Sequence, residues 1–179
     1  RALSKILRRM VDGSHDIIPL REEMEFVHMV LKIEQFRFGD KLRYEFDVSE
    51  AAKARTVPVM SVQGWVENAC KHGVQNLREQ GVVRGTARVE ADDTLTVEVS
   101  DNGVGLPPDR VSSLQKQIPS PRDMHDSIGL QNIYRRLSLH YGKAVSLTIR
   151  NAEGRGMIAA ISIPPQKEVE GDAESNAGR

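Results

Sequence analysis

Cysteine is nearly absent from this 179-residue chain. Cys70 alone excludes an intramolecular disulfide and a cysteine-built zinc cluster, and suits a reducing compartment. Net charge is missing too: Lys+Arg and Asp+Glu both count 25, and the pI is about 7.2. That balance removes the global electrostatic argument for a nucleic-acid or anionic-membrane binder, so any basic patch must be local. No apolar run approaches the ~18–20 residues that cross a bilayer, and no signal-peptide core opens the sequence. The chain therefore reads as soluble, with no membrane contact of its own, and no internal repeat is visible. It opens on Arg1 rather than a methionine, which fits further sequence upstream. What is present, 39% hydrophobic and 28% charged residues, suffices for one compact domain with appendages.

The first ~38 residues carry helical spacing in two pieces. Leu3, Ile6, Leu7 and Met10 form one stripe, which Asp12, Gly13 and Ser14 interrupt. Pro19 then opens a second helix whose stripe is Met24, Val27, Val30, Leu31 and Phe38. This pair either packs on the chain's own core or forms part of a dimerising helical hairpin. From Leu42 to Val48 the pattern alternates apolar and polar, the period of a half-buried strand. Val59 to about Arg78 returns to helical spacing, with Trp65, Val66, Ala69 and Cys70 inward. Alternation over Thr86–Ala91 and Thr94–Val99 predicts a hairpin turning at Asp92-Asp93. The stretch from Leu106 to Ser127 holds four prolines and one short helical pattern near Asp109–Lys116, and loops this long are usually lids or disordered. A helix over Gly129–His140 follows, with Leu130, Ile133 and Leu137 inward, then a hairpin of Ala144–Arg150 and Met157–Ile163. After Pro164-Pro165 there is little to bury, which predicts a disordered tail.

Four segments carry chemistry. In Val66-Glu67-Asn68-Ala69-Cys70-Lys71-His72-Gly73, Asn68 and His72 share a helix face. The amide can ligand Mg²⁺, and Lys71 and His72 can meet phosphate oxygens; taken alone, the segment reads better as a solvated helix face ending at a glycine. Asp101-Asn102-Gly103-Val104-Gly105 follows a strand, but the prolines at 107 and 108 exclude the second strand that a hairpin needs. Its glycines suit close backbone approach, and Asp101 is an acceptor for the exocyclic amine of adenine that would repel the guanine carbonyl. Ser127-Ile128-Gly129-Leu130 opens a helix whose free N–H groups suit phosphates. Gly154-Arg155-Gly156 alone is an ordinary turn. Asn68, Asp101, Gly129 and Gly156 follow at intervals of 33, 28 and 27 residues.

In that order the segments resemble the ATP-binding domain shared by histidine kinases, gyrase, Hsp90 and MutL. The asparagine segment matches the N box, the Asp101 segment the G1 box, Gly129-Leu130 the G2 box, and Gly154 to Gly156 a third glycine box. More narrowly, the chain is similar to sensor histidine kinases of the autolysin-sensor type (LytS/YesM-like). That resemblance includes Pro19-Leu20-Arg21-Glu22-Glu23, Ile33-Glu34 with Arg37-Phe38-Gly39, and Gly129-Leu130-Gln131-Asn132-Ile133 with Arg136-Leu137 and Tyr141-Gly142. It extends from Leu3 to Pro164. Three positions depart from the family pattern: Ser127 replaces the first G2 glycine, Met157 stands where a threonine is expected, and Gly64 occupies the place of the glutamate base of hydrolytic members.

The resemblance implies an α/β fold, a two-layer sandwich of a mixed sheet on helices, preceded by a partial helical hairpin. Residues 1–39 would be the dimerisation and phosphotransfer region, 40–165 the ATP-binding domain and 166–179 the disordered tail. The implied activity is an ATP-dependent protein histidine kinase, moving the γ-phosphoryl of Mg-ATP to a histidine upstream of this chain. Asn68, Lys71 and His72 would be catalytic, with Asn68 the Mg²⁺ ligand, and Asp101, Gly103, Gly105, Gly129, Leu130 and Gly156 would bind ATP. The implied partners are a response regulator and a second copy joined through the upstream helices, with the fragment on the cytoplasmic side of a membrane-anchored protein. A nucleotide-binding or dimerising module with degenerate catalysis, and an ATP-hydrolysing clamp of the gyrase or MutL kind, are the alternatives; Gly64 speaks against the second.

Overall fold

A computed structural model describes residues 17–75, 77–119 and 128–165. The Leu3–Met10 stripe, Ser127 and the tail after Pro165 lie outside the described residues. Five strands form a mixed sheet in the order β2 (Leu42–Val48), β4 (Gly81–Val89), β5 (Leu95–Asp101), β7 (Met157–Ile163) and β6 (Ser146–Asn151). The β2–β4 pair is parallel and the other three pairs are antiparallel. A parallel pair needs a crossover. Here it runs through α2 (Glu50–Ala54), β3 (Thr56–Pro58) and α3 (Gln63–Asn68), while β3 pairs with β1 (Ile17–Pro19) in a two-stranded ribbon.

Alternation builds the two layers. Leu42, Val83, Ala87, Val97, Val99, Leu147 and Ile161 point inward and are buried against helices, in one continuous core. The opposite sheet face is polar and carries cross-strand ion pairs, Arg84–Glu45 at 3.5 Å and Arg150–Glu98 at 3.4 Å together with Arg88–Asp47. Exposed pairs of this kind contribute only about 0–1 kcal/mol each, so the apolar layer is what holds the sheet. The α/β sandwich implied by the sequence is the observed fold.

α1 (Leu20–Phe38) follows Pro19 directly and ends at Gly39, with Leu20, Met24, Val27 and Leu31 wholly inside that core. The apolar stripe of this helix packs on the chain's own core and leaves Ile33 and Phe36 outward, with Phe36 94% exposed. The core therefore runs across residue 39 without a break. α4 (Pro108–Gln117) falls where the short helix was predicted, and α5 (Ile128–Tyr141) buries Ile133 and Leu137. The helix predicted from Val59 starts only at Gln63. Ser61 N–H bonds back to the Pro58 carbonyl and Met60 adopts φ +65°, so a turn occupies the intervening residues.

Candidate functional site

α3 does not end as an α-helix. From Ala69 to Val74 it widens into a π-helical turn, in which the Gln75 N–H reaches the Cys70 carbonyl at 3.0 Å. Such turns are rare and recur at functional sites. Here the widened turn brings Asn68, Ala69, His72 and Gly73 to the wall of a cavity of about 560 Å³, a volume usual for small-molecule sites. Cys70, turned into the core, has its thiol pushed up to about 12 by burial and by nearby carboxylates, so it is inert.

Across the cavity, β5 ends in Asp101. Its Oδ1 accepts the Gly103 N–H at 2.7 Å. Burial raises its carboxyl pKa above the ordinary 3.8, against the opposing pull of the Gly103 and Met157 N–H groups. Three glycines make room for this residue. A Cβ on Gly73 would stand 2.5 Å from the Asp101 carboxylate, one on Gly103 2.4 Å from Gly73, and one on Gly156 1.8 Å from the Asp101 carbonyl oxygen. The close approach that the sequence suggests at Gly103 is thus made to the chain itself, as is that of Gly156, which the family resemblance implies as an ATP contact, and neither residue lines the cavity. Gly129 does line it and faces open space, with no atom within 4 Å of a built Cβ. Gly105 and Leu130 also lie in the wall.

The third side is the segment after Gly105. Asn151 at the end of β6 clamps Leu106 twice, its Oδ1 accepting the Leu106 N–H at 3.0 Å and its Nδ2 donating to the Leu106 carbonyl at 2.7 Å. Gln115 of α4 treats edge strand β6 the same way, donating to the Leu147 carbonyl at 2.9 Å and accepting the Ile149 N–H at 2.8 Å. With Leu114 and Ile118 buried beneath it, α4 is fastened to the sheet rather than a loose part of a lid. It contributes Arg110 and Leu114 to the cavity.

Of the residues singled out from sequence, Asn68, His72, Asp101, Gly105, Gly129 and Leu130 meet around one cavity. Lys71 is exposed on the same turn but is not among the lining residues, whereas Arg110, which no sequence motif marks, is. The walls between are apolar, with Val99, Leu114, Ile149 and Ala159 on the sheet and α4 side. An apolar slot with one half-buried carboxylate at its wall fits a purine ring bearing an amine. Trp65, another lining residue, carries a buried indole N–H with no acceptor among the described residues, a spare donor beside the slot. Among the described residues no three His, Cys, Asp or Glu side chains cluster to hold a metal. Mg²⁺ could be carried by the Asn68 amide together with phosphates and water, the usual sharing for this ion.

Comparison with known proteins agrees with this geometry. The family of histidine kinase-, DNA gyrase B- and HSP90-like ATPases matches residues 59–167, and a histidine kinase family matches residues 1–42. The chain belongs to the first of these families, whose members use ATP. It is 34% identical to the sensor protein LytS of Enterococcus faecalis over 97% of its length and 29% of the relative's. With the sensor histidine kinase YesM of Bacillus subtilis it shares 27% identity, over 94% of this chain and 27% of that one. It thus spans less than a third of the curated relatives it matches. In fold it is similar to the catalytic domain of the histidine kinase ThkA, at 17% identity and a TM-score of 0.59, covering 83% of this chain and 94% of that one. Full-length ShkA, solved in complex with AMPPNP, gives a TM-score of 0.60 at 17% identity, covering 91% of this chain and 35% of that one.

Proposed function

We propose that the cavity holds ATP with its adenine amine on Asp101 and its phosphates toward Asn68, His72 and Arg110, for transfer of the γ-phosphoryl to a histidine elsewhere in the full-length kinase. The observation that carries this reading is the half-buried Asp101 carboxylate in an apolar wall, facing a helix that presents Asn68 and His72. Phosphoryl transfer asks a protein for positioning and charge neutralisation rather than covalent chemistry. Mg²⁺, bound through Asn68, would supply charge neutralisation at the β- and γ-phosphates. An imidazole nitrogen then attacks the γ-phosphorus as its bond to the ADP oxygen breaks, and the phosphohistidine passes the group to an aspartate of a response regulator. Gly103, Gly105 and Gly156 shape the Asp101 side of the site, Gly129 and Leu130 let backbone approach the nucleotide, and Lys71 adds positive charge at the rim. The full-length protein would act as a homodimer through its upstream helices, with this domain in the cytoplasm, where ATP and response regulators are found.

Hydrolysis is disfavoured on the same geometry. Asp101 is the only carboxylate lining the cavity among the described residues. Glu67 is exposed and accepts the Gln63 side-chain N–H at 2.7 Å, so among the described residues no second carboxylate lines the cavity to serve as a base for water. The test of the phosphate end uses the sole tryptophan, Trp65, as a fluorescent reporter in the cavity wall. Asn68→Ala should abolish the enhancement of ADP affinity by Mg²⁺ without unfolding the chain, since alanine favours the helix. Arg110→Ala should weaken ADP binding about tenfold, as loss of a charged hydrogen bond does, whereas Lys71→Ala should change it by less than about twofold. An unaltered Mg²⁺ dependence in Asn68→Ala would remove Asn68 from the metal.

A further inference from the structure

One buried charge lies outside the site and is used by nothing described so far. Glu23 on α1 is 0% exposed, yet its carboxylate is fully engaged. Oε2 accepts the Met60 N–H at 2.9 Å, and Oε1 accepts those of Val62 and Gln63 at 3.0 and 3.1 Å. These three donors belong to the turn that starts α3. The N–H groups at a helix start have no partner within the helix, and α3 supplies no side-chain cap of its own. Met60 also sits at φ +65°, a conformation costly for an unbranched bulky residue unless its surroundings fix it. Glu23 reaches that turn from 37 to 40 residues away in sequence. Burial raises its carboxyl pKa, while the three N–H groups and the Arg136 guanidinium on α5 pull the other way. A buried charge with this many partners costs more to rearrange than to keep in place.

The consequence follows from where α3 leads. One and a half turns beyond Gln63 stand Asn68 and then His72, in the cavity wall. We infer that Glu23 is a positioning residue for the nucleotide site: from α1 it fixes the start of α3 and thereby the placement of Asn68 and His72 opposite Asp101. The inference rests on the nucleotide reading of the cavity. It also makes α1, which lies within the match to the histidine kinase family over residues 1–42, part of what holds the site in register.

The test compares Glu23→Gln and Glu23→Ala with Glu25→Gln, an exposed change on the same helix, by ADP titration well below each melting transition and by amide hydrogen exchange. Glu23→Gln keeps the side-chain length and one acceptor, so it remains informative if Glu23→Ala does not fold. The expected result is an ADP dissociation constant raised about tenfold in folded Glu23→Gln, faster exchange from Met60 through the Asn68 turn, and no change in Glu25→Gln. A merely structural role would lower the melting temperature and leave the affinity of the folded fraction intact. Folded Glu23→Gln binding ADP within twofold of the unaltered chain, or exchanging as slowly along α3, would overturn the assignment. Failure of the unaltered chain to bind ADP would instead overturn the nucleotide reading, and the inference with it.

Discussion

Replacing Asp101 by Asn should raise the melting temperature of the nucleotide-free chain at pH 7 and at the same time weaken ADP binding by about 1.5–3 kcal/mol, roughly ten- to a hundredfold or somewhat more. Opposite signs arise because folding and binding ask different things of this side chain. Its folded-state pKa lies above the ordinary 3.8, with burial outweighing the Gly103 and Met157 N–H groups. A raised carboxylate contributes stability that is fully present below the unfolded pKa and lost as pH rises through the folded pKa. At neutral pH the ionised Asp101 therefore weighs against folding, and a neutral amide, which can still accept the Gly103 N–H, relieves that burden. An adenine amine, by contrast, donates to the ionised form, and Asn turns part of that acceptor into a donor. Thermal unfolding and calorimetry on the same sample check both halves. Falling stability together with unchanged ADP affinity would assign Asp101 to the fold alone.

Gly156→Ala should be the most damaging single methyl group that can be added near the site, costing on the order of 3–5 kcal/mol. Gly154→Ala, two residues earlier, should cost only about 1–2 kcal/mol, the strain of a left-handed alanine. Both glycines have positive φ, +86° at Gly154 and +100° at Gly156. They differ in surroundings. A Cβ at Gly154 meets nothing within 4 Å, whereas at Gly156 it would lie 1.8 Å from the Asp101 carbonyl oxygen and 3.0 Å from the Asn102 Cα, both backbone atoms. Backbone cannot step aside as a side-chain tip can, so the β5–β7 pairing beside Asp101 must open. Urea melts of the two variants give the contrast directly, and equal costs would show that backbone conformation, not contact, explains the glycine.

What was legible in the sequence was whatever a local period encodes. Alternation marked β2 at its true bounds, Leu42–Val48, and the helical stripe marked α5 within a residue of Ile128–Tyr141. The order of the glycine-bearing segments located Asn68 and Asp101, which the fold brings to one cavity. Missed were β1, α2 and β3, whose three to five residues are shorter than any period needs to show itself. The π-helical turn was missed as well, because periodicity marks a helix without fixing how widely it winds. Lys71, adjacent to His72 in sequence, lies about a quarter-turn away on the helix and so falls outside the cavity wall. Glu23, Gln115 and Asn151 act through bonds spanning 32 to 45 residues, a distance over which one sequence read locally carries no signal. Arg110 belongs to the same group: only the docking of α4 on β6 carries it to the cavity.

The measurement that bears most directly on the account is titration calorimetry of the unaltered chain with ADP and with GDP, each with Mg²⁺, at pH 7. A half-buried, ionised carboxylate beside an apolar slot accepts from the adenine amine and repels the guanine carbonyl at the same ring position. ADP should therefore bind with an affinity at least about tenfold above that of GDP, and the preference should collapse in Asp101→Asn. Equal affinities for the two nucleotides, or a preference untouched by that substitution, would contradict the assignment of this cavity as an adenine-nucleotide site.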